Sequence, residues 1–133
     1  MSKILLVEDE DLNRTLVKAV LARAQVDAVR RAEVVDATTL KSAREHLLGQ
    51  DIDLILLDMN LPDGSGLSLA RELVDRGEPR PAVVAVTASV LPRDRSAAVE
   101  AGCDGFLDKP YAAADLVAVV ADHLPECREE RAG

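Results

Sequence analysis

The stretch 53–64, Asp-Leu-Ile-Leu-Leu-Asp-Met-Asn-Leu-Pro-Asp-Gly, limits the possible folds of this chain more than any other. Residues 54–57 are four consecutive large aliphatics with no polar alternation. Such a run suits a strand buried on both faces, as in the middle of a parallel sheet. A carboxylate, Asp58, follows at once, and then the turn residues Asn60, Pro62, Asp63, Gly64 and Gly66. Open α/β sheets build their ligand sites at the carboxyl ends of such strands. Asp58 is therefore a functional candidate rather than ordinary solvated surface.

The flanking sequence repeats the pattern. Lys3–Val7 is an aliphatic strand ending in Glu8-Asp9-Glu10-Asp11. A first helix follows, with Leu12, Leu16, Val20 and Leu21 at helical spacing and Asp11 expected as its N-cap. Residues 24–31 contain neither Gly nor Pro, so this helix is expected to run long. Glu33–Ala37 is a short, more polar strand, expected near an edge. Thr38 or Thr39 caps a second helix carrying Leu40, Ala43 and Leu47, with Gly49 expected at its C′ position.

A third helix covers 67–76 and closes at Gly77, and the Glu78-Pro79-Arg80-Pro81 segment is a loop. Residues 82–86 form a fourth apolar strand ending in Thr87-Ala88-Ser89. Pro92 fits the first turn of a fourth helix that reaches Gly102. A fifth strand, Gly105-Phe106-Leu107, ends in Asp108-Lys109-Pro110. The fifth helix carries Leu116, Val117, Val120 and Leu124 and stops at Pro125. The expected organisation is one domain over 1–125 and a charged, disordered tail over 126–133. Five strand–helix alternations predict an α/β doubly wound, five-stranded parallel sheet with five helices. Right-handed crossovers favour the flavodoxin-like strand order 2-1-3-4-5.

Composition narrows the function. Phe106 and Tyr111 are the only aromatic residues, so the core is aliphatic. The formal charge of −8 argues against direct nucleic-acid binding. No apolar run approaches the ~20 residues of a membrane span, and Met1-Ser2-Lys3 does not open a signal peptide. A cytoplasmic protein is expected. Cys103 and Cys127 stand in no metal-ligand spacing and are expected to be ordinary thiols. His46 and His123 fall in predicted helices, where packing or exposure accounts for them.

In the predicted order, four strand ends form one cleft containing Glu8 and Asp9, Asp58, Thr87 and Lys109. Three carboxylates crowded there repel one another, and a divalent cation is the natural remedy. Oxygen-only ligands select a hard ion, and few protein ligands with room for water favour Mg²⁺ over Ca²⁺. Asn60 is placed to add its backbone carbonyl. A carboxylate beside such an ion can act as a nucleophile toward phosphorus. Lys109 then supplies a compact cation for one phosphoryl oxygen, and the Thr87 hydroxyl donates to another. Singly, each residue is unremarkable: an acidic strand-to-helix turn, a loop lysine before proline, a threonine after a strand. Their coincidence at four strand ends carries the functional reading.

The chain resembles a receiver domain of a two-component response regulator, of the single-domain, chemotaxis-regulator-like kind. The resemblance rests on Glu8-Asp9, on Asp58 followed by Leu61-Pro62-Asp63-Gly64-Ser65-Gly66, on Thr87-Ala88 and on Lys109-Pro110. It implies that Asp58 accepts a phosphoryl group from a histidine kinase or histidine phosphotransfer protein. It also implies that Asp9, Asp58 and the Asn60 carbonyl hold Mg²⁺, with Glu8 helping through water. Thr87 and Phe106 would be switch residues, remodelling the face of the fourth helix, fifth strand and fifth helix for a downstream protein. Lys109-Pro110 would be a cis peptide, and Met59, Asn60, Ala88 and Ser89 would tune water access.

Two features depart from the family pattern. The link between the first helix and the second strand is long, and Tyr111-Ala112-Ala113-Ala114 stands where a polar cap is usual. The resemblance implies no enzymatic activity beyond the protein's own phosphorylation and dephosphorylation. A relay intermediate, or a receiver from a longer regulator or hybrid kinase, is the alternative. A metal-dependent aspartyl-phosphate phosphatase is more remote, since it wants an acid where Asn60 stands. A flavin or nucleotide carrier wants a phosphate loop where this chain has Glu8-Asp9-Glu10-Asp11.

Overall fold

Continuous aliphatic runs set the architecture, because a strand without polar alternation must be covered on both faces. The computed structural model describes residues 2–77, 80–87 and 92–125. The strands are β1 (Lys3–Val7), β2 (Glu33–Ala37), β3 (Leu54–Asp58), β4 (Asn60–Leu61), β5 (Gly64–Ser65), β6 (Ala82–Thr87) and β7 (Gly105–Asp108). The helices are α1 (Asp11–Ala22), α2 (Asp27–Arg31), α3 (Leu40–Gly49), α4 (Gly66–Arg76), α5 (Pro92–Ala101) and α6 (Ala113–His123).

The main sheet is wholly parallel, in the order β2-β1-β3-β6-β7. Counting its strands alone, this is the predicted 2-1-3-4-5 flavodoxin-like order. The register pairs Val7 with Leu57, Asp58 with Val86, and Thr87 with Asp108. The carboxyl ends of β1, β3, β6 and β7 therefore line one crest of the sheet. Residues alternate between two layers. Ile4, Leu6, Leu54, Leu56, Val84 and Val86 pack with side chains of α1, α2 and α6. Leu5, Val7, Ile55, Leu57, Val83 and Ala85 pack with α3, α4 and α5. All four aliphatics of 54–57 are buried, and each such side chain contributes roughly 1.5–3 kcal/mol on removal from water. Among the described residues, no helix is long and apolar enough to cross a membrane.

Several local expectations change. There are six helices among the described residues rather than five. The first helix does not run long: it stops at Ala22, where the Arg23 and Ala24 N–H groups donate to the carbonyls of Val20 and Leu21 at 3.3 and 3.2 Å. The chain then forms the separate α2, which buries Ala28 and Val29. Arg30 of α2 donates back to the Ala24 carbonyl at 2.9 Å. Glu10, not Asp11, is the N-cap of α1; Asp11 lies in the first turn and pairs with Arg14. Gly49 is the last residue of α3 and has no left-handed conformation, Gln50 being the C-cap.

Other details follow the sequence reading. β2 is an edge strand, Thr39 caps α3 by accepting from the Ser42 N–H at 3.1 Å, and α5 begins at Pro92. Where α6 lacks a polar cap, the Asp115 carboxylate accepts from the Ala112 N–H at 3.2 Å. Cys103 is buried, and burial pushes its thiol up to about 11. His46 contacts the Gln50 amide, His123 contacts the carbonyls of Val119 and Asp104, and both are partly exposed. Glu78, Pro79, Ala88, Ser89, Cys127 and the tail over 126–133 lie outside the described residues.

Two glycines separate strain from freedom. A Cβ on Gly66 would stand 2.4 Å from the Asp58 carbonyl oxygen, whereas one on Gly49 meets nothing within 4 Å. Gly66→Ala is expected to destabilise the fold by about 1–3 kcal/mol. Gly49→Ala is expected to be neutral or stabilising by up to about 1 kcal/mol. Urea unfolding of the two variants checks the contrast, and equal effects would refute it.

Candidate functional site

Each functional side chain is delivered by a strand end. The Glu8 N–H donates to the Ala37 carbonyl at 2.9 Å, extending the β1–β2 ladder by one residue. The Glu8 side chain is thereby held at the crest and only 4% of the residue is exposed. Its Oε1 accepts from Asn13 Nδ2 at 2.6 Å and lies 3.5 Å from Lys109 Nζ. Its Oε2 is buried without a hydrogen-bond partner. Asp58, at the end of β3, accepts through Oδ1 from the Asn60 N–H at 3.1 Å, and its Oδ2 lies 3.7 Å from Lys109 Nζ. Asp9 is exposed. One carboxylate oxygen from each of Glu8, Asp9 and Asp58 lies within 4.8 Å of the others.

This group is short of positive charge. Beside it is a cavity of about 20 Å³ lined by Glu8, Asn13, Asp58 and Lys109 together with Tyr111 and aliphatic side chains. Burial pushes the Glu8 carboxyl up from its ordinary value. The neighbouring Asp58 carboxyl adds to the rise, while Asn13 and Lys109 oppose it. Three acids facing one ammonium suit a hard, multiply charged cation bound through oxygen. The exposed Asp9 leaves that position open to solvent.

Lys109 is set by its backbone: its N–H donates to the Thr87 carbonyl at 2.8 Å, and the Lys109-Pro110 peptide is cis, as the resemblance implied. Thr87 and Phe106 line a neighbouring cavity of about 260 Å³, with Met59, Asn60 and Arg95 also on its walls. Phe106 is half-buried, and the Arg95 guanidinium lies 5.6 Å from its ring centre. Arg95 also pairs with Asp108, whose Oδ1 is buried without a partner. The structure thus gathers Glu8, Asp9, Asp58 and Lys109 into one cluster and puts Thr87 and Phe106 on the adjoining cavity. Asn60 is exposed beside Asp58.

Sequence reasoning missed the supports around this cluster. The nearly buried Arg14 donates to the Glu8 carbonyl at 2.9 Å, pairs with Asp11 and lies 3.5 Å from Asp36. Asp63 accepts from the Leu40 and Lys41 N–H groups at 2.9 and 3.1 Å, tying the loop after Asp58 to the start of α3. Those bonds hold the Asp63 carboxyl below its ordinary range. Ser65 caps α4 by accepting from the Leu67 N–H at 3.2 Å. Of these only Ser65, just before an apolar helical run, carried a local signal.

Comparison with known proteins adds a family. Residues 4–121 match the model of the response regulator receiver domain. The polar-differentiation response regulator DivK of Brucella ovis is 31% identical over 122 residues, covering 91% of this chain and 94% of that protein. The aerobic respiration control sensor protein ArcB of Escherichia coli K12 is 39% identical over 119 residues, covering 88% of this chain. The chain spans only 14% of ArcB's length. Among solved structures, the Mn²⁺-bound form of response regulator Rcp1 superposes with a TM-score of 0.73 at 30% identity, covering 90% of this chain and 89% of that one.

The electrostatics give a signed expectation. Because the folded Glu8 carboxyl titrates above its unfolded value, its contribution favours the metal-free fold at low pH and is lost as pH rises through the folded value. Asp58→Asn removes one of the charges responsible. Metal-free protein carrying it is expected to be more stable than the parent at pH 7. The gain should shrink toward pH 4. Urea unfolding at both pH values measures it, and a less stable variant at pH 7 contradicts the account.

Proposed function

The chain belongs to the response regulator receiver domain family, and from that premise we propose that it is a phosphoacceptor switch of a two-component system. The observation that carries this reading is the convergence of Glu8, Asp9 and Asp58 within 4.8 Å, with Lys109 reaching both Glu8 and Asp58. Asp58 is the nucleophile. One of its oxygens attacks the phosphorus of a phosphohistidine, the P–N bond breaks, and its electron pair returns to the imidazole, which takes a proton from solvent. The product is an aspartyl phosphate. Asp9, Asp58 and the Asn60 carbonyl, with Glu8 behind them, would hold Mg²⁺. When bound, Mg²⁺ offsets the negative charge shared by nucleophile and phosphoryl oxygens. That response regulator Rcp1 has a Mn²⁺-bound form supports a divalent ion as the ligand of this fold.

The remaining residues respond to the new group. The Lys109 ammonium, already between Glu8 and Asp58, pairs with a phosphoryl oxygen. The Thr87 hydroxyl donates to another, and Phe106 turns into the cavity the two residues share. The change reaches a downstream protein through the face of α5, β7 and α6. On the donor side, Leu16 of α1, 53% exposed, lines an apolar groove of about 520 Å³ with Val20, Pro110 and Tyr111, and Leu12 of the same helix is 68% exposed. That surface suits a histidine kinase or histidine phosphotransfer protein docking its phosphohistidine near Asp58. This reading places the protein in the cytoplasm and gives it no turnover beyond its own phosphorylation and dephosphorylation. A second reading, a receiver that works as a segment of a longer regulator or hybrid kinase, is supported by the match to a segment of the sensor protein ArcB.

Acetyl phosphate with Mg²⁺ is expected to add one phosphoryl group, read by intact mass. Asp58→Ala should abolish the gain, and continued labelling of that variant would overturn the assignment. Asp9→Ala should raise the Mg²⁺ requirement at least about tenfold. Glu45→Ala, on the exposed side of α3, should leave it unchanged.

A further inference from the structure

We infer that Asn13 is a positioning residue for the cation site, its neutral side-chain amide holding the buried Glu8 carboxylate toward Asp9 and Asp58. The inference rests on the phosphoacceptor reading, since it concerns the ion that reading requires. Glu8 is longer by one methylene than the aspartate beside it, and a longer side chain has more rotamers to lose on burial. Something must fix it. Asn13, in the first turn of α1, donates to Oε1 at 2.6 Å, the shortest contact Glu8 makes, and Lys109 approaches the same oxygen at 3.5 Å. Both partners fall on one oxygen. The other, Oε2, is buried with no hydrogen-bond partner, which is costly unless a ligand completes it.

The chemistry of the amide matters. A second lysine or an arginine at position 13 would fix Glu8 equally well but would cancel charge the cation needs. An amide orients a carboxylate without neutralising it, as hydrogen-bonded partners do behind metal ligands generally. Asn13 Nδ2 also lies 3.3 Å from Glu10 Oε2, so a competing role is simply to staple the 8–10 turn to α1. The two roles separate in a double-mutant cycle with Glu8→Asp, because the shorter carboxylate cannot reach Asn13 while the contact to Glu10 is kept.

The experiment titrates Mg²⁺ by calorimetry into unphosphorylated wild type, Asn13→Ala, Glu8→Asp and the double variant, with thermal melts confirming that each is folded. Asn13→Ala is expected to weaken Mg²⁺ binding about tenfold in the wild-type background and less than about twofold in the Glu8→Asp background. A loss below about twofold in the wild type overturns the inference, as does an equal loss in both backgrounds, which would assign Asn13 to the turn. A second readout needs no metal. The Asn13 side-chain amide resonances in ¹⁵N-labelled protein should move on Glu8→Asp, and unmoved resonances overturn the inference. If wild type itself neither binds Mg²⁺ nor labels with acetyl phosphate, the phosphoacceptor reading fails first. Normal wild-type behaviour with an uncoupled Asn13 removes only the positioning role.

Discussion

Repulsion between Glu8 and Asp58 is the constraint around which the rest of the crest is built. Left to themselves, two carboxylates this close would separate, protonate or take up a cation. Separation is resisted because each side chain leaves from the end of a fully buried strand. Val7 and Leu57, the residues immediately before them, have no exposure and are paired with each other. Moving either acid aside means dragging a core strand with it. Lys109 relieves part of the repulsion from a third strand end, reaching both carboxylates without matching their charge. The fold is locally at odds with itself at the candidate site, as functional sites commonly are.

The loop after Asp58 shows how the crest is kept from relaxing. The Asp58 carbonyl lies against Gly66, where only hydrogen fits. The Gly66 N–H donates to the Met59 carbonyl at 3.0 Å, and the small β4–β5 hairpin closes the turn between them. Asp63 ties the hairpin to α3, and Ser65 ties it to α4. On the other side, Arg14 binds the Glu8 carbonyl from α1. No single one of these contacts is strong, since hydrogen bonds contribute about 1 kcal/mol each. Together they fix the acids from three helices, so the site does not depend on its own loops for order.

This division explains what the sequence could and could not convey. Burial on both faces writes itself into composition, so the runs at 4–7, 54–57 and 82–86 announced a parallel sheet, and the sheet order placed Glu8, Asp9, Asp58 and Lys109 together. The supports were illegible for the opposite reason. Asp63 reaches α3 across 23 residues, and Arg14 reaches Asp36 on another strand, and neither pairing leaves a periodic trace. The break before α2 was hidden because the residues around it lack Gly and Pro. It is the burial of Ala28 and Val29, a tertiary choice, that starts the second helix. Asp11 is not the cap because the helix begins at it: Glu10 keeps the extended backbone of a cap, and Asp11 lies in the first turn, paired with Arg14.

The two flanks of the crest are not held equally. On the β1 and β3 side, helices α1, α3 and α4 bury Val17, Leu21, Leu40, Leu69 and Leu73 beneath the loops they anchor. On the β6 side, among the described side chains of α5 only the small Ala98 and Ala101 are buried, and Val99 is 59% exposed. Its Arg95 contacts with Asp108 and Phe106 are partly solvated, where an ion pair is worth up to about 1 kcal/mol and a cation–π contact about the same. A methyl group buries far less apolar area than a leucine side chain, so the force needed to shift α5 is smaller than for any helix on the opposite flank. Charge introduced at Asp58 acts on both flanks alike. In the phosphoacceptor reading we propose, the displacement would go where resistance is least, through Thr87 and the cavity beside Phe106 into α5.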